Sequence, residues 1–506
     1  AVLAMIMEVG AHGAQVRRRE GERREARLHL RNIFLMAVSW FFYYKTSGLF
    51  LLILVFVTLS DWLIARRIYE AKTAPQKSAD FSGTPLGERL EARGEKAMRR
   101  ETRAKAWLAL SIIIDIGLLC YLKYAYFFTN VVNDLLGTEL AVFDLFAYIG
   151  NGFSENGRFM VDKIILPVGI SFYLFQVMSY TIDVYRGQVK PVKNILDFGF
   201  YVSFFPGLVA GPIVRANEFI PQLYKPFCLS RRLFGLAVFW ILNGLIKKIV
   251  LSDYLAVNLI DRVFDNPLLF SGFENLFALF AYSLQVYADF SGYTDIAIGI
   301  AMLMGFYLPQ NFDSPYKSRN PQEFWRRWHM SLSRWLKSYL YIPLGGNRSV
   351  LGRPMKDKIA AGNVNSFITM LLGGLWHGAN WTFIAWGIYH ALLFVPLLLM
   401  GKNRRYRDTV ATITLPNGSI KIKWLPSIKE AGQMLLTFAL AVVGWIIFRA
   451  NGMESLTTWV SGICNSSLLT IPWLMNKYFY IPLMISIVIL LIVEWSNRTK
   501  DHALQI

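Results

Sequence analysis

Residues 366–400 read SFITMLLGGLWHGANWTFIAWGIYHALLFVPLLLM, 35 nearly apolar residues with one interruption, Gly373-Gly374-Leu375-Trp376-His377-Gly378-Ala379-Asn380-Trp381. A bilayer core of about 30 Å is crossed by roughly 20 helical residues. The run is too long for one span and too apolar for a surface segment, so it predicts two membrane helices broken at the glycines. Irregular backbone at membrane depth is tolerated only where protein or a water-filled cavity covers it. His377 is therefore expected to line an internal cavity; a histidine that merely breaks the helix is the plainer alternative. His390, in the otherwise apolar second half, reads as structural.

Comparable apolar runs recur near residues 32–65, 106–128, 233–260, 277–308, 432–449 and 477–494. With 54% hydrophobic and 15% aromatic residues over 506 positions, the chain carries more apolar surface than one water-soluble core needs. The fold class is thus all-α and polytopic, with on the order of ten membrane helices or re-entrant pieces. A net charge of +19 in a soluble protein points to nucleic acid. Here the positive-inside rule accounts for it and no nucleic-acid partner is expected. Residues 66–105 hold 11 basic and 6 acidic residues, broken by Pro75, Gly83, Pro85 and Gly87, and are read as a cytoplasmic basic loop. Arg17, Arg18, Arg19, Arg23, Arg24 and Arg27 belong on the same side, which makes 32–65 a helical hairpin turning near Thr46, Ser47 and Gly48. The whole chain, 1–506, reads as one membrane domain with a polar interruption at 401–430, containing Lys402, Arg404, Arg405, Arg407 and Asn417-Gly418, and C-terminal helices at 431–506. No internal repeat stands out. Cys120, Cys228 and Cys464 are too widely spaced for a metal or redox centre and read as apolar fillers. The chain opens Ala1-Val2-Leu3, so a leading segment is expected to be missing, and no cleavable signal peptide is expected.

Residues 322–342, QEFWRRWHMSLSRWLKSYLYI, follow Asn311-Phe312-Asp313-Ser314-Pro315 and Pro321. At 3.6 residues per turn, Trp325, Trp328, Leu332, Trp335, Leu336 and Tyr339 share one side, and Arg326, Arg327, Arg334 and Lys337 the other. The spacing predicts one basic amphipathic helix at the membrane interface, its cations toward lipid phosphates or a phosphate-bearing ligand. His329 projects with the aromatic stripe. Ionisable groups at membrane depth are costly and usually functional, which makes it a candidate beside His377. Asp289 and Asp295, in Tyr287-Ala288-Asp289-Phe290-Ser291-Gly292-Tyr293-Thr294-Asp295, sit about 120° apart on a helix. They do not face each other there and are expected to orient a histidine or to pair with the Arg326 region.

A buried imidazole can act as general base and deprotonate an alcohol attacking an activated acyl group. A thioester donor then requires no enzyme nucleophile, in keeping with the absence of Gly-x-Ser-x-Gly, Walker A, Gly-x-Gly-x-x-Gly and zinc signatures. A His-x4-Asp pattern is absent too. A secondary transporter using Asp289, Asp295 and His377 as an ion or proton relay is the alternative from another class.

The strings SFYLFQVMSYTIDVYRG (171–187), FFPGLVAGPIVR (204–215), YADFSGYTDIAIGIAMLMGF (287–306), NFDSPYKSRNPQEFWRRWHMSLSRWLKSYLYIPLGGN (311–347) and LLGGLWHGANWTFIAWG (371–387) resemble the bacterial branch of the membrane-bound O-acyltransferases, of the alginate O-acetyltransferase type. The resemblance covers roughly 165–400 as a catalytic core and extends weakly to Trp445-Ile446-Ile447-Phe448-Arg449-Ala450. It implies a ring of helices around a central tunnel in a bacterial cytoplasmic (inner) membrane. It also implies His377 as general base and His329 as second catalytic or tunnel residue, with Trp376, Asn380, Trp328, Asp289, Asp295 and Arg326 shaping the substrate path. No bound cofactor or metal is implied. The implied donor is acetyl-CoA or an acyl carrier, and the acceptor an exported polysaccharide, reached through an extracytoplasmic partner of the SGNH-hydrolase kind. D-alanyl transfer to teichoic acid is the rival within the same fold. The family usually carries Arg-Asp where this chain has Lys337-Ser338, which leaves the role of that Asp open.

Overall fold

Gly48 takes a φ of 59° between a helix over 26–47 (α1) and a second over Leu51–Thr73 (α2). A side chain there is disfavoured sterically, which is why glycine marks the turn. A Cβ built on Gly199 would lie 3.3 Å from Met36 of α1 and 3.8 Å from Thr58 of α2. In one straight helix those two residues would be separated by about 33 Å, so α1 and α2 fold back on each other as the sequence predicts. The computed structural model describes residues 26–73, 86–152, 164–402, 406, 412–414, 419–422, 425–470 and 477–496. The arginine run 17–24, Pro75, Gly83, Pro85, Arg404, Arg405, Arg407 and Asn417-Gly418 lie outside the described residues.

The chain's contacts group into two units, the first comprising residues to Leu233 with Ala301–Leu308, the second Phe234–Ile300 with Pro309 onward. In the first unit α2 packs with helices Leu86–Leu119 (α3) and Ile170–Tyr185 (α4). Ser111 of α3 donates to Asp61 of α2 at 2.6 Å and lies 3.1 Å from Thr181 of α4, giving these buried hydroxyls partners. Helix extends further into the basic segment 66–105 than a loop reading allows: α2 runs to Thr73 and α3 begins at Leu86. Ion pairs one turn apart, Arg99–Glu95 and Lys105–Glu101, support helix on an exposed charged face. Leu30, Phe34 and Ile113 are 69%, 63% and 66% exposed, a surface that suits lipid.

The second unit contains helices Arg231–Leu245 (α5, from Phe234), Gly272–Leu303 (α6, to Ile300), Pro321–Arg327 (α7), Met330–Leu336 (α8), Lys358–His377 (α9), Trp381–Leu399 (α10) and Ile428–Arg449 (α11). α9 and α10 form the expected broken pair. A Cβ on Gly374 would meet the Phe383 carbonyl oxygen at 2.3 Å, so these helices touch backbone to backbone. Six helical runs among the described residues are long and apolar enough to cross a membrane: Ala26–Thr73, Gly94–Leu136, Arg231–Asp265, Lys358–His377, Trp381–Leu399 and Ile428–Arg449. The strands described are two short antiparallel pairs, Ser349–Val350 with Arg353–Pro354 and Thr412–Thr414 with Ile420–Ile422. The protein is an all-α membrane protein. Cys120 is half-buried, and Cys228 and Cys464 are exposed.

Candidate active site

The segment 322–342 is not one helix. α7 starts on Asn320, whose side chain accepts from the Glu323 N–H, with Pro321 at the first helical position. It stops at Trp328, and His329 takes φ 43° and ψ 57°, the left-handed region that non-glycine residues rarely occupy. α8 then restarts, and its first donors are capped from a distant loop: Met330 N–H reaches the Asn311 carbonyl at 2.9 Å and Ser331 N–H reaches Asn311 Oδ1 at 3.1 Å. The helix breaks because Asn311 offers these groups better partners than the preceding turn does. The predicted stripe survives the break, with Trp325, Trp328, Leu332, Trp335, Leu336 and Tyr339 all buried.

The cationic face is partly corrected. Arg327 is half-buried and pairs with Asp313 at 2.7 Å and with Glu323 at 3.2 Å, and the buried Arg319 joins the same Glu323 at 3.1 Å. Glu323 is 1% exposed, so two guanidiniums neutralise one buried carboxylate. Arg326 donates to the Tyr406 carbonyl at 2.8 Å. A cavity of about 660 Å³ opens beside this segment, with Trp325, Met370 and Phe394 giving it apolar walls and Arg326, Lys337 and Tyr341 polar ones.

Trp376 brings the two candidate histidines together. Its ring centroid is 6.1 Å from that of His329 and 5.0 Å from that of His377. His377 ends α9 and is half-buried, its ring against Trp386 at 5.1 Å and Phe448 at 5.2 Å. His329 is 1% exposed, edge-on to Phe290 at 4.7 Å. It sits between two helices too short to cross a bilayer. Burial, with His377 nearby, holds its imidazole well below the ordinary histidine value and therefore neutral. At the break after His377, Gly378 is extended, and close approach explains the glycine, since a Cβ there would lie 2.1 Å from the Phe383 ring. Asn380 caps α10 by accepting from Thr382 N–H at 3.1 Å and donates to the Asn451 carbonyl at 2.9 Å, so it holds the break in place. Trp328 packs between Phe324, Phe312 and Trp445 at 5.6, 5.0 and 4.8 Å.

Asp289 and Asp295 are not where the sequence puts them. Lys248 reaches Asp289 at 2.6 Å, and Lys247 reaches Asp295 at 3.0 Å, joined by Asn243 at 2.7 Å. Lysines, rather than the Arg326 region or a histidine, are the charged partners these two carboxylates find. Among the described residues no group of three or more His, Cys, Asp or Glu side chains is placed to hold a metal ion. Asn311, Phe290, Trp386 and Phe448 join the site without having been singled out. An asparagine before a Pro-containing turn signals capping, but not which distant helix it caps.

His390 accepts from Trp325 Nε1 at 3.2 Å and stacks edge-on with Trp386 at 4.7 Å. Its replacement by Leu leaves a buried indole N–H unpaired, a cost of about 1–3 kcal/mol. A lowered melting temperature with unchanged turnover per folded molecule is the expected result. Lost turnover at unchanged stability would move His390 into the reaction.

The sequence profile of the membrane-bound O-acyltransferase family matches residues 146–425. The chain is 36% identical over 427 residues to a probable alginate O-acetylase of Pseudomonas aeruginosa, covering 84% of this chain and 68% of that protein. It is 35% identical over 378 residues to a peptidoglycan O-acetyltransferase of Helicobacter pylori, covering 69% and 63%. With a teichoic acid D-alanyltransferase of Bacillus subtilis it shares 29% identity over 302 residues, covering 57% and 70%.

Proposed function

This chain belongs to the membrane-bound O-acyltransferase family, and from that premise we propose that it moves an acetyl group from a cytoplasmic thioester, acetyl-CoA, to hydroxyls of an exported polysaccharide such as alginate. The observation that carries this reading is the pair His329 and His377 against Trp376, beside a helix break in a membrane unit. His377 Nδ1 or Nε2 takes the proton of the attacking hydroxyl, the new C–O bond forms at the acyl carbon, the C–S bond breaks, and the thiolate leaves with a proton returned from His377. No enzyme nucleophile is needed. Trp376 separates and orients the two imidazoles, and Trp328 supports the wall behind His329. Arg326 and Lys337 in the 660 Å³ cavity suit the phosphates of a CoA-type donor, and its apolar wall suits the pantetheine arm. The ring of helices around a tunnel, the inner-membrane location and an SGNH-hydrolase-like extracytoplasmic partner complete the proposal.

Transfer of D-alanine is the second reading, supported by similarity to the Bacillus subtilis D-alanyltransferase, though over a smaller share of this chain than the acetyl-transferring relatives. Deleting the gene and analysing envelope esters separates the two: acetate esters should fall and D-alanine esters should hold. Purified protein in detergent should form esters with no ion gradient, and a strict gradient requirement would favour the transporter alternative instead.

A further inference from the structure

Asn311 Oδ1 has three neighbours. It accepts from Ser331 N–H at 3.1 Å and from Ser331 Oγ at 2.9 Å, and it lies 3.1 Å from His329 Nδ1. A backbone N–H can only donate, so the amide atom facing Ser331 is the oxygen and the amide cannot be flipped. An amide oxygen can only accept. His329 Nδ1 must therefore carry a hydrogen, and a neutral imidazole has only one. Its Nε2 is left as a bare lone pair, buried and without a hydrogen-bond partner among the described residues. Asn311 itself has little freedom, being 1% exposed and tied through its carbonyl to Met330 N–H.

We propose that Asn311 is a positioning residue that locks His329 with its proton on Nδ1, so that His329 meets the acceptor as a hydrogen-bond acceptor at Nε2, holding a hydroxyl other than the one that attacks. The two imidazoles then divide the work: His377 takes the proton of the attacking hydroxyl, and His329 orients the acceptor through its neighbouring hydroxyl without supplying a proton. The strained backbone at His329 has a reason on this account, since the left-handed turn is what brings both its ring nitrogen and the Ser331 N–H onto one oxygen. The functional half of the inference rests on the acyltransferase reading; the position of the proton does not.

The full chain has six histidines, so [15N]histidine labelling in detergent micelles, with H329Q to assign the signals, reads the tautomer directly. The wild type should show a protonated Nδ1 and an unprotonated Nε2 at His329. N311D keeps the acceptor and should keep the tautomer, while its charge favours the imidazolium and moves the acid limb of the pH–rate profile to higher pH. N311L should lose the tautomer and at least about tenfold in turnover, read as thiol release from acetyl-CoA, with an unchanged KM. A proton on Nε2 in the wild type, or an Nδ1–H signature that persists in N311L, overturns the proposal. The expected tautomer in a chain that transfers no acetyl group upholds the proton assignment and defeats the acyltransferase reading instead.

Discussion

Replacing His377 by Ala is expected to lower acyl transfer by about 10³-fold, the middle of the range general acid–base catalysis supplies, while the protein remains in the membrane at its usual level. Level should hold because His377 is half-buried at the last residue of its helix, and its aromatic neighbours have partners of their own, Trp376 on His329 and both Trp386 and Phe448 on Trp445. His377→Gln keeps bulk and polarity without a base and should be as inactive. His329→Ala differs, since it removes a 1% exposed ring and its Asn311 hydrogen bond, so stability should fall along with turnover. The measurement is the O-acetyl content of the exported glycan against immunoblotted membrane protein. Glycan acetylation retained in the His377 variants would remove the base from the scheme.

Which parts of this site could be read in sequence follows from how far apart the deciding residues lie. The break after His377 was visible because its cause is local: an apolar run too long for one span, with glycines inside it. The hairpin at Gly48 was visible for the same reason. The aromatic stripe from Trp325 to Tyr339 was legible because side chains three and four apart share a helix face. The break at His329 was not, because residues 322–342 alone satisfy a continuous helix and the competing acceptor is Asn311, supplied across a loop. The same holds for charge. Arg326, Arg327 and the two aspartates were read by the face they occupy, yet their partners are chosen by which helices meet. Lys247 and Lys248 lie in an apolar stretch whose sequence says only that its cations are expensive. Tertiary packing decided each of these, and periodicity carries no information about it.

That expense sets the second large expected effect. Lys247 and Asp295 are 13% and 10% exposed and 3.0 Å apart, with Asn243 on the same carboxylate oxygen. α5 and α6 touch through small residues: a Cβ on Gly244 would lie 2.5 Å from the Gly292 carbonyl oxygen. Contact this close leaves the lysine little room to reach water. Asp295→Ala should therefore destabilise the protein by about 3–5 kcal/mol, the cost of a buried charge deprived of its partner, and Lys247→Met by a similar amount. The double variant K247M/D295L should recover most of that loss, because removing both charges removes the uncompensated one. Glu494, hydrogen-bonded to Tyr287, is a second carboxylate acting on Lys247, which places Asp295→Ala at the lower end of the range. Asp295→Asn, which still accepts from the lysine, should fold better than Asp295→Ala and should keep turnover per folded molecule. Melting in detergent, followed by tryptophan fluorescence, orders the variants. Single variants as stable as the wild type would mean that the pair contributes nothing to the fold. Lost turnover in a fully folded Asp295→Asn would put this carboxylate back into the chemistry, where the sequence first placed it.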